Sequence, residues 1–322
     1  MFRLLLVAAV AFADMPAPHA DVPTVVLGVD WQKQDVKLPV VGAGTWEYNS
    51  TEAYSSLCSA FKLGYQMVDT ANMYGNQVGV GKAIKDCWTR PRSELFVMTK
   101  VPGGLGAAGV AAAHKQNLAE LQLDYVDHLM THFPSAFPLA NGTIPNASKA
   151  SRQEEWRALE AIYATGEARS IGVSHYCSQH IEDVMEIATV KPSVDQIEYH
   201  VGSGDVDAVM PTLDKYGIHF MSFSPLCGPC NNTKQNNLIN GDLVSEIAAQ
   251  YPGVTGAQVS LRFIVQQALT KPNFAGVIPK SDDVYHLAGN IDLFEFELSD
   301  ADMARLHAAT EPKPTPGDCQ IP

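Results

Sequence analysis

Residues 95–134 read LFVMTKVPGGLGAAGVAAAHKQNLAELQLDYVDHLMTHFP. The run 95–100 (LFVMTK) is short and largely apolar, the pattern of a strand covered on both faces. The pattern over 109–121 is helical, and 126–131 is a second strand-like run. Strand, helix and strand at this spacing form a parallel βα unit, because parallel strands need a crossover connection. Lys100 closes the first strand and His132 follows the second, so two reactive side chains fall at equivalent strand ends.

The same alternation extends both ways. Further strands are predicted over 40–44, 66–70, 168–174, 194–198, 218–223 and 276–279. Helices are predicted over 50–63, 78–88, 153–165, 178–188, 206–216, 242–249, 255–267, 284–290 and 299–309. Residues 25–27 and 35–38 can pair as an opening β-hairpin. Eight strands alternating with helices predict an α/β protein of the (β/α)8 TIM-barrel type, with that hairpin at the N-terminus and a C-terminal substrate loop. An open doubly wound sheet is the alternative. Bound to a dinucleotide it would show G-x-G-x-x-G after an early strand. Here Gly79-Val80-Gly81 lies inside a predicted helix and lacks the third glycine.

Composition sets the outer limits. The chain has 322 residues, 46% hydrophobic and 18% charged, which excludes a disordered protein. A net charge of −13 argues against nucleic acid and anionic lipid as partners. Length alone suggests two domains, whereas a barrel uses residues 21–322 as one. The first 20 residues read as a signal peptide: Arg3, an apolar run over 4–13, and the small-x-small pattern Ala11-Phe12-Ala13, with cleavage between about 13 and 20. An opening core segment or a bipartite organelle signal are the other readings. Ten apolar residues are too few to span a bilayer, and no later stretch reaches membrane-spanning length. The expected location is therefore the secretory pathway or outside the cell. Sequons at Asn49, Asn141, Asn146 and Asn231 fit a glycoprotein. Six cysteines (58, 87, 177, 227, 230 and 319) allow three disulfides in 15 connectivities, or free buried thiols, and Cys319 could tether the tail. Cys227-Gly-Pro-Cys230 resembles a redox motif but lies in a loop, where a tight disulfide or idle thiols suit it better.

In a barrel, chemistry gathers at the C-terminal ends of strands. Asp69 ends the strand over 66–70, Tyr74 follows in its loop, and Lys100 and His132 end the next two. Asp69 can pair with a buried Lys100. A positive Lys100 would lower the Tyr74 phenol toward a useful range. Tyr74 could then protonate a carbonyl oxygen while His132 orients it. Individually each has an ordinary structural use, as helix cap, loop anchor or satisfied polar group. Together they suit reversible reduction of an aldehyde or ketone by a hydride donor, and call for no metal.

The sequence resembles the aldo-keto reductases. The resemblance is carried in order by Gly42-Ala43-Gly44-Thr45-Trp46, Val68-Asp69-Thr70-Ala71-Asn72-Met73-Tyr74-Gly75-Asn76, Lys100, His132-Phe133-Pro134, and Ile171-Gly172-Val173-Ser174. It continues through Asp195-Gln196-Ile197-Glu198-Tyr199-His200, Ser222-Phe223-Ser224-Pro225-Leu226 and Ile278-Pro279-Lys280-Ser281. The resemblance implies Tyr74 as general acid/base, Asp69 and Lys100 as its tuning pair, and His132 as carbonyl orienter. It implies NADP(H) bound in extended form. Thr45, Ser174, His175 and Gln196 would lie around the nicotinamide, Phe223 would stack on it, and Ser224 and Leu226 would meet the pyrophosphate. Lys280, Ser281 and His286 would face the 2′-phosphate, and Asn290 the adenine. Trp46, His132 and Phe133 would line the substrate pocket, with Tyr48 adding an apolar hint. Four departures stand out: His175 for a usual Asn, Gln77 for a frequent Glu, Val201 for a frequent Pro, and His286 for an Arg. With Asp282 and Asp283 nearby, they leave NAD(H) open as cofactor. A non-catalytic nicotinamide-binding regulatory barrel is the alternative function.

Overall fold

The computed structural model describes residues 22–140, 142–205, 208–227, 237–315, 319 and 321. The signal-like segment, two of the four sequons (Asn141 and Asn231) and Cys230 lie outside them. Eight parallel strands follow one another in sheet order: β3 (Ala43–Gly44), β4 (Met67–Asp69), β5 (Phe96–Val101), β6 (His128–Thr131), β7 (Ile171–Ser174), β8 (Val194–Glu198), β9 (His219–Phe223) and β10 (Phe274–Val277). Val41 bridges Val277 in parallel and closes the ring. Gly42 N–H donates to the Val277 carbonyl at 2.9 Å, and Val277 N–H to that of Val40 at 3.0 Å. Gly276 makes this seam possible. Its φ is +123°, and a Cβ there would stand 2.1 Å from the Val40 oxygen. Strand β10 lies two residues ahead of its expected span, and its pairing with β9 slips register between Phe274 and Gly276.

The hairpin β1 (Thr24–Val29) and β2 (Asp35–Pro39) pairs antiparallel. Its Leu27, Val36 and Leu38 pack with Phe96, Val194 and Met67, Met98, Met130 and Met221, filling the end of the barrel from which the strands start. Thioether side chains suit such an irregular interior. The opposite end is left for the site.

Helices cover the outside: α1 (Ser50–Lys62), α2 (Gln77–Cys87), α3 (Gly106–Leu121), α4 (Lys149–Thr165), α5 (Ser178–Met185), α6 (Met210–Tyr216), α7 (Asp242–Ala248), α8 (Gly256–Thr270), α9 (Val284–Ile291) and α10 (Asp300–His307). Gly79, in α2, is a packing glycine rather than part of a phosphate loop. A Cβ there would fall 1.9 Å from the Ser50 carbonyl oxygen. Helix α4 starts four residues earlier than its periodicity suggests, because Ser148 caps it by accepting from Ser151 N–H. Cys58–Cys87 ties α1 to α2, and Cys177–Cys319 ties the tail to the start of α5. Cys227 is also disulfide-bonded. No helix among the described residues is long and apolar enough to cross a membrane.

Candidate active site

Two short polar segments set the catalytic geometry. Asp69 ends β4, and a single 3-10 turn, Asn72–Tyr74, turns Tyr74 back over the strand ends before Gly75 stops it in a left-handed conformation. Lys100 stands in β5, 1% exposed, with Nζ 2.6 and 2.7 Å from the two Asp69 oxygens and 3.1 Å from the Thr70 carbonyl. The same ammonium lies 3.3 Å from the Tyr74 hydroxyl. Gln196 Nε2 donates to Asp69 Oδ1 at 3.0 Å, and Thr45 Oγ1 to the Asp69 carbonyl at 2.9 Å. A buried charge needs this degree of pairing to persist.

The expected lowering of the phenol is not what these contacts produce. Burial, and then the Asp69 charge, hold the Tyr74 hydroxyl well above its ordinary value. Asp69 neutralises Lys100, so little positive field reaches the phenol and desolvation wins. Burial likewise pushes the Lys100 ammonium down while Asp69 pulls it back up. His132 sits just past β6 with its ring centroid 5.5 Å from that of Tyr74. Burial, Lys100 and His175 hold it well below the usual imidazole value, so it is neutral. The site thus presents a protonated phenol and a neutral imidazole.

Polar residues to which the sequence assigned no role fix this arrangement. Buried Asn76 donates to the carbonyls of Thr45 and Tyr48, at 2.7 and 2.9 Å, and accepts from Thr70 Oγ1. On α3, Asn117 Oδ1 accepts from Asn72 Nδ2 at 3.0 Å, and its Nδ2 donates to the Lys100 carbonyl at 3.3 Å. One side chain therefore links the turn bearing Tyr74 to the strand bearing Lys100. Gln77 accepts from Thr99 Oγ1 at 2.6 Å and donates to Asn117 Oδ1 and Glu120 Oε2. A carboxylate at 77 would face Glu120, which explains the amide. Polar residues next to the reactive ones were the signal for these, but their partners lie far off in sequence.

A cavity of about 640 Å³ opens over the strand ends, a size suited to a cofactor and a small substrate. Asp69, Tyr74, His132, Phe133, His175, Gln196, Phe223, Ser224, Leu226, Trp46 and Lys280 line it. Thr45 and Ser174, each 1% exposed, lie behind it, and Ser174 Oγ donates to the Gln196 carbonyl at 2.8 Å. Ser281, His286 and Asn290 lie beyond the lining, at the start and end of α9. Tyr48 is not a wall either: its ring lies beneath Lys280, whose Nζ is 4.9 Å from its centroid. Met73, Phe137 and Ile239 are walls to which the sequence assigned no individual role, and Thr315 lies in the C-terminal segment expected as a substrate loop. Glu47, His175 and Ser224 hold left-handed φ values of 65°, 60° and 48°. Such backbone conformations concentrate where a site demands them. His175 is a side chain that tolerates this region, as Asn is. Its ring is 4.5 Å from Phe133 and 4.8 Å from Phe223, and burial and Lys100 lower it to about 3.

The donor set can be tested against a nicotinamide nucleotide. The half-buried Phe223 ring stands on the cavity wall, the chain turns at Ser224 in a left-handed conformation, and the cleft continues to Lys280. The nicotinamide end fits.

Comparison with known proteins agrees. The family model described as the Aldo/keto reductase family matches residues 40–311. The chain is 33% identical over 275 residues to "Glyoxal reductase" of Bacillus subtilis, covering 85% of this chain and 89% of the relative. It is 30% identical over 287 residues to "Aldo-keto reductase family 1 member A1" of Cricetulus griseus, covering 84% and 86%. Among solved structures, an aldo/keto reductase from Brucella melitensis superimposes with a TM-score of 0.75 at 29% identity, covering 90% of this chain and 99% of that one. The aldose reductase of Schistosoma japonicum superimposes at 0.77 with 24% identity, over 90% and 94%, which speaks to the fold. With its (β/α)8 barrel and its Asp69–Lys100–Tyr74–His132 cluster, this chain belongs to the aldo/keto reductase family and is an NAD(P)-dependent oxidoreductase.

Proposed function

We propose that the protein reduces an aldehyde or ketone to its alcohol, reversibly, with Tyr74 as proton donor. The observation that carries this is the Lys100 Nζ contact to the Tyr74 hydroxyl at 3.3 Å, beside Asp69. A bound reduced nicotinamide supplies the hydride to the carbonyl carbon. As negative charge grows on the carbonyl oxygen, Tyr74 Oη–H donates its proton there. Lys100 then stands against the phenolate left behind, and Asp69, gripping Lys100 through both oxygens, keeps it in place. Neutral His132 can offer one ring N–H to the same oxygen. Phe223, Ser224 and Leu226 would hold the nucleotide, with His175, Gln196 and Ser174 around its carboxamide.

The substrate is read as an apolar carbonyl compound. Trp46, Met73, Phe137 and Ile239 line the mouth although 45%, 40%, 55% and 50% exposed, an arrangement that marks a binding surface. The test offers the purified protein a reduced nicotinamide nucleotide and a panel of aldehydes and ketones. Nucleotide oxidation in step with alcohol formation supports the reading. Tight nucleotide binding without turnover on any member supports the regulatory barrel instead.

The proposed location is an oxidising compartment reached through removal of about 20 N-terminal residues. The Cys58–Cys87 and Cys177–Cys319 disulfides support it, since such bonds persist in secreted proteins and are rare in the cytosol. Exposed Asn49 is the proposed glycan site. Its Oδ1 accepts from the N–H groups of Thr51 and Glu52, which leaves Nδ2 for the sugar. Loss of mass on treatment with an amidase that removes N-glycans checks this, and an Asn49→Gln variant should abolish the loss.

A further inference from the structure

The Lys280 end of the cleft, where the family resemblance would put the adenosine and its 2′-phosphate, differs from the Phe223 end, because its polar groups already have partners. Lys280 is the one Lys or Arg among the described residues lining the cavity, and its Nζ is 3.3 Å from Glu47 Oε2. Ser281 Oγ accepts from Asp283 N–H at 3.1 Å and donates to the Asp283 carbonyl at 3.4 Å, so this hydroxyl is turned onto its own loop. The Ser281 carbonyl is in turn held by Ser56 Oγ at 2.8 Å. At the start of α9, where free N–H groups would welcome an anion, Asp283 Oδ1 accepts from Tyr285 and His286 N–H at 2.8 and 3.0 Å. These bonds hold the Asp283 carboxyl below its ordinary value, so a full negative charge occupies that position. Asp282 and Glu52 add to it: both charges are felt at Tyr48, the ring beneath Lys280.

We infer that this end of the site selects against a 2′-phosphate, with Asp283 as the residue that sets the selection and Glu47 as its second contributor. NADH is then bound at least as tightly as NADPH. A phosphate dianion placed here would meet Asp283 at close range and compete with Glu47 for Lys280, whereas a ribose 2′-hydroxyl carries no such penalty. The inference rests on the nicotinamide-dependent reading above and concerns only which nucleotide is held.

Equilibrium binding tests it, read from quenching of intrinsic tryptophan fluorescence by NADH and by NADPH at low ionic strength. Asp283→Asn keeps a good N-cap while removing the charge, and Glu47→Gln alters an exposed side chain. The expected result is a wild-type Kd for NADH equal to or below that for NADPH. Asp283→Asn should shift the ratio toward NADPH by about tenfold, Glu47→Gln should shift it the same way, and added salt should shrink both shifts. Wild-type affinity about tenfold higher for NADPH, or ratios unmoved in both variants, would overturn the inference while leaving the carbonyl reductase reading intact. Binding of neither nucleotide would overturn both.

Discussion

At the scale of single residues, the account turns on protonation states set by burial. Tyr74 titrates well above its ordinary value and His132 well below its own. The donor form of Tyr74 exists below its pKa, and the neutral form of His132 above its pKa. Both conditions hold together across neutral pH. The kcat/KM for carbonyl reduction should therefore be flat between about pH 6.5 and 9, measured by nucleotide oxidation under saturating cofactor. A fall with an apparent midpoint inside that range would show that the phenol is lowered after all. Every member of this cluster was readable from the sequence, because strand ends are where a barrel does chemistry. The sign of the phenol shift was not. It depends on how completely Asp69 neutralises Lys100, and that is set by two distances of 2.6 and 2.7 Å.

At the scale of elements, short-range patterns were legible and long-range pairings were not. Helix α1 was legible from Ser50, Thr51 and Glu52, although its cap is Asn49, which forms a reciprocal capping box with Glu52. The start of α4 was missed because Ser148 reads as part of a sequon, whereas in the structure it is a cap. The partners of Asn117, and the bond between Cys177 and Cys319 across 142 residues, have no local signature. That disulfide has a consequence for the cavity. With it go Gln179 Nε2 to the Cys319 carbonyl at 2.7 Å, Thr315 N–H to Glu198 Oε2 at 3.0 Å, and buried Ile321. Thr315 is a cavity wall. A Cys177→Ser/Cys319→Ser variant should lose roughly 2–4 kcal/mol in urea unfolding, as expected for a long closed loop. Its KM for a bulky apolar carbonyl should rise more than its kcat falls. An unchanged unfolding midpoint and an unchanged KM would show that the staple does not hold the tail.

At the scale of the whole molecule, the barrel confines several imidazoles without charge. Burial lowers His114 to about 4, and burial with Lys100 lowers His128 to about 3. Both are about 1% exposed or less. A depressed folded pKa contributes stability that is complete above the unfolded value near 6.5 and is lost as pH falls toward the folded value. At pH 5 each such imidazole costs about 2 kcal/mol relative to pH 7. Urea midpoints should therefore drop steadily from pH 7 to pH 5, and a flat profile would contradict the burial of these rings. The net charge of −13 bears on ligand capture as well. An anionic nucleotide approaches an acidic protein, so its affinity must come from placed contacts: the flat Phe223 face, the Ser224 turn and a Lys280 already shared with Glu47.

The most direct test of the central claim compares wild type with Tyr74→Phe in a single turnover, with enzyme-bound reduced nucleotide mixed against an aldehyde that the wild type accepts. The account predicts that nucleotide binding persists while reduction slows by about 10²–10⁴, the usual worth of a positioned proton donor. A Tyr74→Phe rate within about threefold of wild type would contradict it.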